Sequence, residues 1–210
     1  MFPCWAKKAS VDTTDEDGQE IEFLANNNEA GAQWAQEQAG IALLSKWSVD
    51  SDGATNYDNL IKRIYDIYSK NPWMMSKIKY YKNQNKLSML IPESRLNVSY
   101  DSKNLEISES CQFVSQEVNP KFFESSTDMV EIMTLAEEGS VKMVKIHLRN
   151  PEKVPLTKIT VIRDSENLNS MKKIAVIVSI SHILGDGATL YEVYNMLSAK
   201  QEVYRVSLYV

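Results

Sequence analysis

The segment Lys173–Ser181 constrains the fold of this chain more than any other part of the sequence. It is apolar on both of its alternating faces, with Ile174, Val176, Val178 and Ile180 on one face and Ala175 and Ile177 on the other. Because successive side chains of a strand point to opposite sides of a sheet, such a strand must be covered on both faces. The segment therefore predicts a central strand that is buried on both sides.

Strand and helix patterns interleave along the rest of the chain. Apolar residues at helical spacing predict helices at 57–68, at 128–139 and directly after Gly187. Strand patterns lie at 41–49, 77–82, 86–91, near 111–114, and at 141–148, 156–163 and 204–210. Several strands are joined by hairpin-like links, which favours an α+β two-layer sandwich with a mixed β-sheet over a doubly wound fold.

The apolar stripes also predict which helical side chains face the core. In the second helix these are Met129, Ile132, Met133 and Ala136, and in the last helix Leu190, Val193, Tyr194 and Leu197. Trp73, Met74 and Met75 are predicted to be core residues rather than ligand contacts. Tyr191 lies beside the last stripe and is predicted to be at the surface.

The charge of the chain is unevenly distributed. The net charge is −5, yet residues 9–45 contain eight Asp and Glu and no Lys or Arg, so the remainder carries +3. We expect residues 1–38 to form an acidic flexible leader and residues 39–210 to form one folded domain. A mild basic excess is compatible with an anionic small molecule but lacks the basic stripe of a nucleic-acid-binding protein, so no nucleic-acid partner is expected.

The sequence also bears on metal sites and location. Cys4 and Cys111 lie in unrelated contexts and match no zinc or disulfide spacing, so no metal site is predicted. The longest apolar run is far shorter than the roughly 20 residues that cross a bilayer. The N-terminus lacks the pattern of a signal peptide. We therefore expect a cytoplasmic protein with no transmembrane segment.

The predicted central strand is followed by His182, and the next residues are Ile-Leu-Gly-Asp-Gly, ahead of the last helix. The chain contains only two histidines, and the end of a buried strand gives this one a rigid mount that suits acid–base chemistry. A structural interpretation is the alternative: His182 bonds to backbone, Asp186 caps the helix and Gly187 only turns the chain.

Residues 177–187, Ile-Val-Ser-Ile-Ser-His-Ile-Leu-Gly-Asp-Gly, resemble the active-site motif of the CoA-dependent acyltransferase superfamily. This group includes chloramphenicol acetyltransferase, the plant BAHD acyltransferases, peptide-synthetase condensation domains and wax ester synthase/diacylglycerol acyltransferases. Residues 60–74, a helix that runs into a proline, and residues 155–159, a strand entry, are similar to the same family. The resemblance extends over about residues 41–200, and the His-to-Gly motif is its specific part.

The resemblance implies a chloramphenicol acetyltransferase-like fold and the transfer of an acyl group from a CoA or carrier thioester to an alcohol or amine. His182 would be the general base, since neutral imidazole is available near pH 7. Asp186 would be structural and paired with an arginine that the sequence does not identify. Gly187 would free the turn and leave room for substrate. Acyl-CoA would be a cosubstrate, with no tightly bound cofactor, and the residues that contact it are not indicated.

Two features depart from the family pattern. Ser181 occupies the position where many members have a second histidine, although BAHD enzymes lack it too. Most members contain two lobes with the substrate tunnel between them, whereas this chain matches the first lobe only. Chloramphenicol acetyltransferase, of similar length, forms its tunnel between the subunits of a trimer. We therefore expect a homotrimer or a missing second lobe. The alternatives to an acyltransferase are a non-catalytic binding lobe and a thioesterase-like hydrolase.

The second histidine lies in Lys145-Ile146-His147-Leu148-Arg149. Strand alternation would place Lys145, His147 and Arg149 on one polar face, so we interpret His147 as an exposed strand residue. The basic row could at most contact a cofactor phosphate. The Ser181 side chain would point away from His182 across the strand, so a Ser–His nucleophile pair is not predicted.

Overall fold

The computed structural model describes residues 18–22, 40–48, 57–81, 83, 86–92, 113–118, 120–124, 128–151, 153–164 and 173–207. Their strands are β1 (Gly18–Glu22), β2 (Gly40–Ser48), β3 (Lys77–Tyr81), β4 (Lys86–Pro92), β5 (Phe113–Val118), β6 (Thr157–Asp164) and β7 (Lys173–Ser181). Their helices are α1 (Tyr57–Lys70), α2 (Met129–Gly139), the single turn α3 (Val144–His147) and α4 (Gly187–Met196), with 3-10 turns at Pro72–Met75 and Pro120–Phe123. The predicted α+β class is confirmed.

The central sheet has the strand order β2-β7-β6-β5. β7 pairs antiparallel with both β2 and β6, whereas β5 and β6 run parallel, so the sheet is mixed as predicted. Every residue of β7 after Lys173 is buried. The prediction of a central strand covered on both faces is therefore confirmed.

One face of the central sheet packs against α1, α4 and the smaller sheet. The larger core cluster joins Ile174, Val176, Val178 and Ile180 of β7 to the apolar stripes of both helices and to Trp73, Met74 and Met75. Full burial of each Val or Ile side chain contributes about 1.5–3 kcal/mol to folding. The predicted stripes of α1 and α4 and the core placement of the Trp-Met-Met segment are confirmed, and Tyr191 is exposed as predicted.

The opposite face of the sheet packs against α2 and a 3-10 turn. Ala175 and Ile177 of β7 join a smaller cluster with Phe122, Phe123 and Leu135. The predicted inward face of α2 is wrong at Met129 and Met133, each of which is 65% exposed. The helix instead approaches the sheet at Gly139, where a Cβ would lie 2.6 Å from the Ile177 Cδ1 atom. This close approach turns Leu135 inward and the two methionines outward.

The smaller sheet has the order β1-β4-β3 and is antiparallel throughout. The predicted hairpin at 77–91 is confirmed by β3 and β4. Residues 18–22, within the predicted flexible leader, form the strand β1 on the outer edge of β4, where pairing requires backbone bonds but no apolar pattern. The rest of residues 1–38 lies outside the described part of the chain.

Three other strand predictions differ from the structure. Residues 141–148 form no strand, because the segment turns into α3 and places His147 against the edge of β3. The strand expected near 111–114 begins at Phe113, and Cys111 lies outside the described residues.

The last strand prediction, at 204–210, is wrong for residues 204–207, which belong to no strand of the described chain; residues 208–210 are not described. The buried side chain of Asn71 binds this segment instead of a neighbouring strand. Its Nδ2 donates to the Tyr204 carbonyl at 2.9 Å, and its Oδ1 accepts the Val206 N–H at 2.7 Å.

Candidate active site

His182 directly follows β7, at the start of the turn that leads into α4. Its side chain is exposed, whereas the strand before it is buried. Among the described residues, no hydrogen bond or ion pair engages the imidazole. With respect to the described residues, the ring is accessible to an incoming molecule.

The turn that carries His182 is fixed at its base. The Ser181 N–H donates to the Leu156 carbonyl at 2.6 Å, and the Leu184 N–H donates to the Ser181 carbonyl at 2.9 Å. Leu184 is 3% exposed and belongs to the larger core cluster, against which Ile183 also packs. His182 is thus the exposed residue of an anchored turn.

Asp186 is the N-cap of α4, as the sequence suggested. Its Oδ1 atom accepts the Thr189 N–H at 2.9 Å and the Thr189 hydroxyl at 3.2 Å. The Thr189 backbone N–H lowers the pKa of the Asp186 carboxyl, with smaller contributions from the Thr189 hydroxyl and the Ala188 N–H, against the opposing effect of partial burial. In the described ranges no arginine pairs with this carboxylate, and its partner there is the first turn of its own helix. The arginine partner implied by the family resemblance stays a prediction.

The two glycines of the motif differ in their surroundings. A Cβ at Gly187 would meet no atom of the described residues within 4 Å, so none of them crowds the backbone there. A Cβ at Gly185 would lie 2.6 Å from Thr189 Cγ2 and 2.8 Å from Thr189 Cβ. Gly185 is therefore required by close packing, a role that its sequence pattern does not reveal.

The far end of α4 is tied to α1. Arg63 donates from Nε to the Met196 carbonyl and from Nη2 to the Gln201 carbonyl. Lys70 Nζ donates to the Val203 carbonyl at 2.5 Å. Both ends of the helix that follows the His182 turn are consequently fixed.

Ser181 does not form a nucleophile pair with His182. Its side chain is fully buried, and its hydroxyl has no hydrogen-bond partner in the parts of the chain that are described. It continues the face of β7 that carries Ser179, whose hydroxyl bonds to Ile41 and Val141. The prediction against a Ser–His pair is consistent with this placement.

The interpretation of His147 as an exposed strand residue is wrong. The residue ends α3 and is 1% exposed. The Ile78 N–H donates to His147 Nε2 at 2.9 Å, and Nδ1 lies 2.5 Å from the Val154 carbonyl. A nitrogen that accepts from an N–H carries no hydrogen of its own, so the ring is neutral and donates from Nδ1. His147 joins the edge of β3 to the segment before β6, and the predicted basic row on one strand face does not form.

The described ranges also bear on metal binding and membrane insertion. No group of three His, Cys, Asp or Glu side chains comes together there in a way that could hold a metal ion. None of the helices in those ranges has both the length and the apolar character needed to cross a membrane.

No family model and no curated protein matches this chain in sequence. Solved structures match it by fold. Holo T3CT matches with a TM-score of 0.54 and 11% identity, covering 87% of this chain and 35% of its own. The epimerization domain from the third module of tyrocidine synthetase B matches with a TM-score of 0.50 and 13% identity, covering 92% of this chain and 39% of its own. F. sporotrichioides TRI101 complexed with Coenzyme A and T-2 matches with a TM-score of 0.47 and 12% identity, covering 85% of this chain and 40% of its own.

The chain thus spans little more than a third of the length of the structures that share its fold. Identities of this size show fold alone, and the match covers most of this chain. The chain therefore has a chloramphenicol acetyltransferase-like fold, matched over most of its own length.

Proposed function

We propose that this protein is an acyltransferase lobe that moves an acyl group from a CoA or carrier-protein thioester to an alcohol or amine, with His182 as the general base. One observation carries the proposal: an exposed imidazole without a partner in the described chain stands at the end of the buried central strand. The fold, which is that of acyltransferase- and condensation-type domains, supports the general kind of reaction.

The chemistry needs one base in two roles. The acceptor oxygen or nitrogen attacks the thioester carbonyl carbon while the His182 imidazole removes its proton. The tetrahedral intermediate then breaks its C–S bond, and the imidazolium returns the proton to the leaving thiolate, which restores the neutral base. A positioned base contributes about 10²–10⁴-fold to such a rate, and much of the rest comes from holding both substrates together.

A single lobe offers one wall of the site that would hold two substrates. We propose that the second wall comes from another copy of the chain or from a separate second lobe, because this chain spans about a third of the structures that share its fold. Light scattering of the purified chain separates these arrangements. A trimer supports a site between copies, whereas a monomer supports a site that needs a second lobe from outside these 210 residues.

The reaction itself is tested by incubating the chain with short and long acyl-CoA thioesters and a panel of alcohols and amines, and by following the release of thiol. We expect release that depends on an acceptor and that falls at least a hundredfold in His182→Ala. Turnover of the variant within tenfold of the native rate would show that the base is elsewhere. Release without any acceptor would indicate a thioesterase-like hydrolase that uses the same base on water.

A second candidate function is a non-catalytic lobe that keeps the fold and binds a partner or ligand. The partial span of the chain relative to its structural neighbours favours this candidate. It predicts no thiol release with any acceptor, alone or in a trimer, together with calorimetric binding of acyl-CoA that is unchanged in His182→Ala.

A further inference from the structure

We infer that Thr189, which lies outside the six-residue motif, is a positioning residue that holds the His182 turn in place. The inference rests on the proposed role of His182. Thr189 is in the first turn of α4 and is 8% exposed, although it lies among exposed residues. A polar side chain buried at this place needs a reason, and its contacts provide one.

The first contact of Thr189 is with the carboxylate of Asp186. The Thr189 N–H and hydroxyl both donate to the same Oδ1 atom, at 2.9 and 3.2 Å. Any residue except proline would supply the N–H, but only a side-chain hydroxyl supplies the second bond. The hydroxyl thus fixes the rotamer of Asp186 at the point where the turn enters the helix.

The second contact of Thr189 is with the backbone of Gly185. The space that a Cβ on Gly185 would fill is bordered by Thr189 Cγ2 at 2.6 Å, Cβ at 2.8 Å and Oγ1 at 3.0 Å. Glycine at 185 and a β-branched side chain at 189 therefore pack as a matched pair. Thr189 thus contacts two consecutive residues of the turn.

These contacts complete the anchoring of the turn. At its start, the Leu184 N–H bonds to the Ser181 carbonyl, and the Leu184 side chain enters the core. At its end, Thr189 holds Gly185 and Asp186. His182 lies between the strand and these fixed points, so loosening Thr189 leaves its backbone free to shift. A displacement of about 1 Å at a catalytic group can cost a hundredfold in rate.

Three substitutions separate the two contacts. Thr189→Val keeps the shape against Gly185 and loses the hydroxyl. Thr189→Ser keeps the hydroxyl and loses the Cγ2 methyl. Thr189→Ala loses both. The matched control is Thr134→Ala, since Thr134 also makes one hydroxyl bond on a helix, to the Val130 carbonyl at 2.8 Å, but lies on α2.

Amide hydrogen exchange measured by NMR tests the inference without relying on activity. We expect the Leu184 amide to exchange about tenfold faster in Thr189→Ala and about threefold faster in the Ser and Val variants, as the turn opens locally. Amides in the middle of β7 should keep their native rates. Equal acceleration across β7, or a Leu184 rate no faster than in Thr134→Ala, would overturn the positioning role.

Measurements of activity distinguish failure of this inference from failure of the proposed function. If native protein releases thiol, Thr189→Ala should lower kcat about tenfold with KM nearly unchanged, and Thr189→Ser should recover part of the loss. An unchanged kcat in Thr189→Ala, in protein for which His182→Ala is inactive, would overturn the inference alone. If native protein shows no turnover, the proposed function fails, and the exchange rates still decide whether Thr189 holds the turn.

Discussion

The two histidines of this chain occupy opposite environments. His182 is exposed on a turn, and its ring has no partner in the described residues. His147 is 1% exposed, and both of its ring nitrogens bond to backbone, one to Ile78 and the other to Val154. The side chains are identical, so the surroundings determine what each ring can do. His182 leaves its ring accessible, as the proposed proton transfer requires, whereas the nitrogens of His147 are committed to holding two segments together.

The same type of side chain can serve catalysis or structure, depending on its surroundings. A base needs an accessible lone pair, and a structural imidazole needs one donor and one acceptor at fixed positions. Substitution of the two residues should therefore have opposite consequences for rate and stability.

Replacing His182 by alanine should remove acyl transfer and leave stability nearly unchanged. The rate should fall by about 10²–10⁴-fold because a positioned base is lost. The free energy of unfolding should change by no more than about 0.5 kcal/mol, as is usual for an exposed side chain without partners. Thiol release and urea unfolding of the same preparations measure the two effects.

The control for this prediction is the exposed helical residue Glu137→Gln, which is outside the turn and should match the native chain in both assays. A loss of stability of 2 kcal/mol or more in His182→Ala would mean that His182 is a structural residue (about the size expected for a buried polar contact). Both histidines would then be structural residues, and the proposed difference between them would be wrong.

Replacing His147 by alanine should have the reverse effect, with a loss of about 2–4 kcal/mol in the free energy of unfolding. The Ile78 N–H and the Val154 carbonyl would lose their partner in a buried place, at about 1–3 kcal/mol each, and a cavity would remain. Urea unfolding at pH 7 measures the loss. The fraction that stays folded in the cold should keep its turnover per molecule.

Two polar variants sharpen this prediction. A glutamine amide can reach the place of Nε2 and accept from Ile78, and an asparagine amide can reach the place of Nδ1 and donate to Val154. We expect His147→Gln and His147→Asn each to be more stable than His147→Ala by about 1 kcal/mol, the worth of one recovered bond. If His147→Ala were as stable as the native chain, these hydrogen bonds would contribute nothing to the free energy of unfolding.

Much of the fold could be predicted because its signals are local and periodic. β7, the β3–β4 hairpin and the stripes of α1 and α4 each show their burial in the spacing of their own apolar residues. His182 follows one of these elements directly, so its position at a strand end came with the strand. The cap of α4 was likewise predictable, because Asp186 and the Thr189 N–H that it accepts are only three residues apart.

The features that sequence reasoning missed depend on contacts between distant parts of the chain. His147 meets Ile78 across 69 residues, and the direction that α2 presents to the sheet depends on Ile177 packing over Gly139. β1 pairs through its backbone, which leaves little trace in side-chain pattern. Gly185 and Thr189 are close in sequence, but a glycine and a threonine four residues apart do not reveal a close contact until the turn is built.

Asp186→Asn should give the smallest effect of these substitutions. It tests the hydrogen bonds at the end of the turn that carries His182. Because bonds from the Thr189 and Ala188 N–H groups lower the pKa of this carboxyl, its charge stabilises the folded chain above the unfolded-state pKa of about 3.9. That contribution is lost as the pH falls through the lower folded-state pKa. Asparagine keeps a cap but no charge, so it should cost a few tenths of a kcal/mol at pH 7 and less at pH 3 by urea unfolding.

Asp128→Asn, the same change at the N-cap of α2, is the matched variant, since the Asp128 carboxylate also accepts a backbone N–H of its own helix. Both variants should lose similar stability at pH 7, but only Asp186→Asn should slow thiol release, because its helix follows the turn that carries His182. Equal slowing in both would show that overall helix stability controls the rate. The N-cap of α4 would then affect the rate only through the stability that any capped helix provides.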